Sequence, residues 1–174
     1  MEDTLVEITG IAIAAILMFI FPLLTMADRT DDVSQLTVEI ATTEFVDEIR
    51  TTGKITPDEY NKYLINLGST GNTYNVEMEV KILDENPKRK NIASQQTTGT
   101  KENLYYSVYN SQINRVIDKN RTYFLKEGDI VTVSAKNSNQ TIAQQLKNFF
   151  YKVIGKDIYT IASSHSGLVV ATGR

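Results

Sequence analysis

Residues 8–27 read ITGIAIAAILMFIFPLLTMA, twenty in succession without a charge. At ~1.5 Å rise per residue, such a run spans about 30 Å as a helix, the thickness of a bilayer's hydrocarbon core. In water its surface would have no partner, so it requires lipid or other apolar helices around it. A cleaved secretory signal has a basic start and a shorter apolar core. Here Glu2, Asp3 and Glu7 make the start acidic and the apolar run is full length. The run is therefore expected to stay with the chain as a membrane anchor. The first basic residue, Arg29, follows the run, a one-residue bias toward an outer N-terminus.

The apolar pattern does not stop where a membrane would. After Ala27 the chain reads DRTDDVSQLTVEIATTEFVDEIRTTG, with Val33, Leu36 and Ile40 on one spacing and Val38, Ala41, Phe45 and Ile49 on another. Steps of three and four predict an amphipathic helix. Gly53 supplies its stop. Residues 1–53 are thus expected to form one helix, hydrophobic and then amphipathic, about 70 Å long from Thr4. Pro22 removes an N–H and crowds the preceding turn, so a bend or local opening is expected there.

Residues 54–174 are polar enough for a soluble head of one domain. Thr56-Pro57-Asp58-Glu59 combines a capping box with proline at the first helical position, and Gly68 closes that helix. The segment TYNVEMEVKIL alternates strictly, with Tyr74, Val76, Met78, Val80 and Ile82 on one face, which predicts a half-buried strand. Residues 84–102, with Pro, Gly and a basic cluster, predict a long exposed loop. Residues 104–119 are ambiguous; Tyr109, Ile113, Val116 and Ile117 favour a helix. A turn at 126–129 leads into a strand over 130–135, and a helix follows over 142–154 with Leu146, Phe149, Phe150 and Val153 on its apolar face. Strands over 158–163 and 168–172 are expected to form a hairpin with Ser164-His165-Ser166-Gly167 at its tip. The expected fold class is α+β: a long N-terminal helix and a C-terminal head containing an antiparallel sheet.

Little in the chain points to chemistry. There is no Cys, which excludes disulfides and thiolate metal sites. The single histidine, His165, has no triad order or metal-ligand spacing around it. Glu77 and Glu79 share a strand face, as a solvated sheet surface also would. No phosphate loop, dinucleotide fingerprint or nucleophile elbow occurs. The cluster Pro87-Lys88-Arg89-Lys90 is read as a solvated loop, since a net charge of −3 does not fit a dedicated nucleic-acid binder. Asn120-Arg121-Thr122 and Asn139-Gln140-Thr141 match the glycosylation pattern. No catalytic residue, cofactor site or metal site is expected, and no enzymatic activity.

Charge is divided along the chain. Residues 1–53 hold ten acidic and two basic side chains, net −8, and residues 54–174 hold eleven and sixteen, net +5. An acidic stem and a basic head could pack within one molecule or attract neighbouring copies. Glu7 stands at the edge of the apolar run, where the positive end of the helix macrodipole favours a carboxylate. Buried among packed helices, it would need a cationic partner.

The stretch Thr4-Leu5-Val6-Glu7-Ile8, followed by an apolar run containing Pro22, an amphipathic extension and a sheet head, resembles a type IV pilin. In that family the mature N-terminus reads Phe-Thr-Leu-Ile-Glu-Leu, and its glutamate pairs with the N-terminal amine of a neighbouring subunit. Thr4, Leu5, Glu7 and Pro22 match by type, although Glu7 and Pro22 stand closer together than in the standard pilin. Nearly the whole chain is similar to pilin-like proteins of tight-adherence systems and conjugative elements in Gram-positive bacteria, through TTGKIT at 51–56, TGNTY at 70–74 and the IAQ-x-L-x-NFF helix at 142–150. The resemblance implies a structural subunit, held in the membrane and then packed by assembly machinery into an extracellular helical filament. Glu7, Gly10, Ala14, Pro22, Val33, Leu36, Ile40 and Phe45 would be its assembly residues. Gly10, Ala12, Ala14 and Ala15 would let helices approach closely. The alternative is a monomeric anchored module, either a fixed part of a secretion or conjugation apparatus or a ligand-binding head on a stalk. An anchored hydrolase is a third reading.

Overall fold

The computed structural model describes residues 2–84, 105–151 and 160–173. Helix α1 (Glu2–Thr52) is a single element of 51 residues. It runs through Pro22 without a break, so the expected local opening does not occur. The proline's missing N–H deprives only the carbonyl four residues earlier, and the turns on either side stay helical. Gly53 ends the helix with φ +65°, and its N–H bonds the Ile49 carbonyl at 2.8 Å. That left-handed conformation suits glycine, and a Cβ there would lie 2.2 Å from the Ala171 carbonyl oxygen.

The chain then crosses into the head. Strand β1 (Lys54–Ile55) leads to α2 (Pro57–Gly68), whose capping box is formed as expected: Glu59 N–H donates to Thr56 Oγ1 at 3.2 Å, and Thr56 N–H to Glu59 Oε2 at 3.1 Å. Strand β2 (Tyr74–Leu83) follows. Within the ambiguous segment 104–119, whose apolar residues favoured a helix, residues 105–117 divide into strand β3 (Tyr105–Tyr109) and helix α3 (Asn110–Ile117). The aromatic half pairs with β2, and only the half holding Ile113 and Ile117 turns into the core as a helix. Strand β4 (Tyr123–Phe124) pairs with β1. Strand β5 (Ile130–Asn137) and helix α4 (Ile142–Tyr151) come next.

The last strand corrects the sequence reading. Ala162–Leu168 is one continuous strand, β6, and His165 lies in its middle opposite Val133 rather than at a hairpin tip. Its run of small polar residues reads like a turn, yet every residue of it pairs with β5. One face is solvated, where Ser166 Oγ lies 2.9 Å from Thr132 Oγ1. The other lies under α1, where a Cβ on Gly167 would lie 2.1 Å from Arg50 Cδ. Residues 158 and 159 of the expected hairpin, residues 85–102 of the expected loop, and residues 152–154 of the expected helix lie outside the described residues.

The four-stranded sheet is antiparallel in the order β3-β2-β5-β6. One face carries the core: Val76, Met78 and Val80 of β2 and Val131, Val133 and Ala135 of β5 are buried. Against them pack Val38, Phe45, Val46 and Ile49 of α1, Tyr63 and Leu67 of α2, and Ile113 and Ile117 of α3. Phe45 stacks on Tyr63 with ring centroids 4.5 Å apart. The architecture is therefore α+β, a long helix whose upper half is built into a sheet head.

Candidate assembly surface

The upper half of α1 has two apolar faces, and the structure separates them. Asp31, Ser34, Val38, Ala41, Thr42, Phe45, Val46 and Ile49 are buried against the head. Val33, Leu36 and Ile40 lie outside that face and are 65%, 58% and 48% exposed, Val33 at the rim of a groove shared with Ser69 and Thr70. Of the expected assembly residues, Phe45 is thus spent inside the subunit, because its position on the helix falls on the head-facing side. Val33, Leu36 and Ile40 remain free for something else to cover.

Below the exposed Arg29 and Asp32, apolar side chains are exposed again. Met26 is 68% exposed, and Leu5, Ile8, Ile11, Ile13, Ile16 and Phe19 are all more than half exposed. Glu7, Gly10, Ala14 and Pro22 belong to the same uncovered length of helix. Around Gly10 a Cβ would meet nothing within 4 Å, so no packing inside the subunit requires a glycine there. The lower helix is long and apolar enough to cross a membrane, with a mean hydropathy of 2.4 in its most apolar window and none of that window buried. Upward, the stripe changes character. Leu36, Ile40, Glu44 and Glu48 form one row at intervals of four, apolar in its lower half and acidic in its upper half, and both glutamates are exposed.

Where stem meets head, α4 is tied to α1. Thr141 caps α4: its Oγ1 accepts from Gln144 N–H at 3.2 Å, and its own N–H donates to Gln144 Oε1 at 3.1 Å. The same hydroxyl donates to Asp31 Oδ2 at 2.7 Å. A buried carboxylate on the stem thus sits at the positive end of α4, where the macrodipole stabilises it. Below this contact a cleft of about 440 Å³ opens between Leu23, Met26 and Ala27 of the stem and Asn72, Asn139 and Ile142 of the head.

The other sequence candidates are scattered. His165 lies on the sheet's helix-facing side, Glu79 accepts from Ser107 Oγ at 2.6 Å on the solvent side, and Glu77 accepts from Asn75 Nδ2 at 3.3 Å. Among the described residues no three His, Cys, Asp or Glu side chains gather to hold a metal. Of the glycosylation patterns, Asn120 is exposed in a left-handed turn at φ 56°, while Asn139 is engaged by Thr73 N–H at 2.8 Å and by Asn72 at 3.0 Å. The cluster 87–90 lies outside the described residues. Sequence reasoning missed the acidic row at Glu44 and Glu48. Its signal was present as two glutamates continuing the four-residue step from Leu36 and Ile40. No family model, curated protein or solved structure matches the chain.

Proposed function

We propose that this chain is a structural subunit of an extracellular, pilus-like helical filament, held in the membrane by α1 before assembly and packed through that helix afterwards. One observation carries the reading: the exposed apolar surface of α1 is too long for a bilayer. From Leu5 to Ile40 exposed apolar side chains are spread over ~53 Å, interrupted by Arg29, Thr30 and Asp32, and this is about 20 Å more than the hydrocarbon core can cover. If residues 8–27 span the lipid, Val33 and Ile40 stand roughly 9 Å and 20 Å above its edge. A monomer would leave them in water. A second α1 alongside would cover them, each large apolar side chain contributing about 1.5–3 kcal/mol on full burial.

The lower helix supports the same reading. Lipid already covers residues 8–27 before assembly, so exchanging lipid for neighbouring helices gains little transfer energy, and extraction requires an external machine. Close approach through Gly10, Ala12, Ala14 and Ala15 would supply the packing that favours helices over lipid. The mechanism has no catalytic residue. The chemistry is exchange of one apolar surrounding for another, with the heads left in water.

The test is electron microscopy of the surface fraction sheared from the native cell, with antibody raised against the head. Label along the length of thin filaments is the expected result. Label confined to membranes, with no labelled filament, would overturn it in favour of a monomeric anchored module.

A further inference from the structure

The two charged regions of the head-and-stem unit belong to helices at different ends of the sheet. Helix α1 packs against β5, β6, α2 and α4, whereas α3 packs against β2, β3 and β4. With the strand order β3-β2-β5-β6, α1 and α3 stand over opposite ends of the sheet. The α1 flank is acidic. Glu44 and Glu48 border a shallow groove between α1 and α2, with Glu59 across it and Lys62 the cation among its lining residues. The α3 flank is basic: Arg115, Lys119 and Arg121 are exposed around the end of that helix, with Asp118 the acid among them. Among the described residues none of these charges forms an ion pair; the pair present joins Arg50 to Asp47.

We infer that the α3 flank of one subunit docks on the acidic α1 row of the next, in a head-to-tail contact that repeats along the assembly. The inference rests on the filament reading above and names its lateral contact. Symmetry argues for it. Subunits anchored in one membrane point the same way. A two-fold contact between α1 flanks about the membrane normal would set Glu44 and Glu48 against their own copies, where like charges repel. The patches stand over different ends of the sheet, so a translation of one subunit along the other brings unlike flanks together. Joining unlike flanks leaves a free flank at each end, and such heterologous contacts generate rings or open helices. The acidic half of the row lies directly above Leu36 and Ile40, so one neighbour could cover both halves.

The chain has no cysteine, which permits a clean crosslinking test in native membranes and filaments. Full-length chain carrying Glu48→Cys, Arg115→Cys or both would be treated with a short bismaleimide. The double variant is expected to give a ladder of dimers, trimers and higher species, and each single variant only monomer. A single Glu48→Cys variant that stops at dimers would overturn the inference, as would a double variant that stays monomeric in filaments still labelled along their length. That second result would leave the filament reading standing, whereas loss of all filaments in the unmodified chain would fail the filament reading itself. Charge reversal gives an independent measure. Glu44→Lys with Glu48→Lys, or Arg115→Glu with Lys119→Glu and Arg121→Glu, should each lower filament yield about tenfold or more, and combining them should restore it. Failure of the combination to restore yield would also overturn the contact.

Discussion

The side-chain amide of Gln35 pairs with the backbone of Ala162 like an added strand residue: Nε2 donates to the Ala162 carbonyl at 2.8 Å, and Oε1 accepts the Ala162 N–H at 3.0 Å. Fifteen residues further along α1, Arg50 Nε donates to the Leu168 carbonyl at 3.0 Å. The stem therefore shields the outer edge of β6 at both ends, an edge that would otherwise present open N–H and C=O groups to other chains.

Replacing Gln35 with Leu keeps the side chain's bulk and removes both bonds. Two edge groups of Ala162 then lie against an apolar side chain, at a cost of about 1–3 kcal/mol. Gln35→Glu retains the acceptor and loses the donor, so it is expected to fall between Leu and the native residue. Thermal unfolding of the detergent-solubilised full chain would rank the three. Equal midpoints for Leu and Gln would show that water serves the edge equally well.

Gly167 and Gly53 are both too crowded for a side chain, for different reasons. At Gly167 the obstacle is a side chain, Arg50, whose Cδ and Nε lie 2.1 Å and 2.5 Å from an added Cβ. At Gly53 it is backbone, and φ is positive as well. Gly167→Ala is expected to displace Arg50 from Leu168 and Asp47 and to cost about 1–3 kcal/mol. Trimming the obstacle with Arg50→Ala should relieve much of that cost, giving a coupling of about 1 kcal/mol or more in a double-mutant cycle. No side-chain truncation should rescue Gly53→Ala, which is expected to be the more damaging change. Additive effects of Gly167→Ala and Arg50→Ala would refute the steric account.

These contacts mark what the sequence could and could not convey. Strand β2 was legible because its pleat leaves one face in the core and one in water, so Tyr74 to Ile82 alternate. Helix α2 was legible because its capping box is local. Strand β6 was not, because the partner that makes Ser163, His165 and Gly167 suitable is α1, more than a hundred residues earlier. The same non-locality hid which stripe of α1 would be buried. Val33 and Val38 are equally apolar, and only the docked head distinguishes them.

Three tyrosines make the head sensitive to alkali. Burial raises the pKa of Tyr63, against a smaller opposing effect of its bond to Thr42. The Tyr63 hydroxyl lies 3.0 Å from Thr42 Oγ1 in the core. Tyr60 is raised by burial and by the charge of Asp118, and Tyr123 by burial and by Asp129. The unfolded chain thus loses these protons at lower pH than the folded one. Above the ordinary tyrosine value of about 10, the folded state binds more protons, so stability falls as pH rises through the folded pKa values. Below that value their contribution is fully present. Urea midpoints should stay level from these groups up to about pH 9.5 and then drop, with the drop reduced in Tyr63→Phe. An equal drop in that variant would remove Tyr63 from the account.

Val33 and Val38 offer the sharpest separation of assembly from folding, because they lie on one helix within two turns and only Val38 is covered by the head. Val38 is fully buried and Val33 is 65% exposed. Val38→Ser should destabilise the head by about 2–4 kcal/mol, since it removes buried methyl groups and introduces a hydroxyl in their place. Val33→Ser, alone or with Leu36→Ser and Ile40→Ser, should leave the unfolding midpoint within about 0.5 kcal/mol of native, as expected for surface positions. In the proposed filament the triple change removes the apolar surface that a neighbouring α1 would cover, so filaments should be lost while membrane anchoring through residues 8–27 persists. Sheared-fraction microscopy and membrane fractionation would read the two effects separately. Normal filaments from the triple variant would mean that the outer stripe is not what holds subunits together.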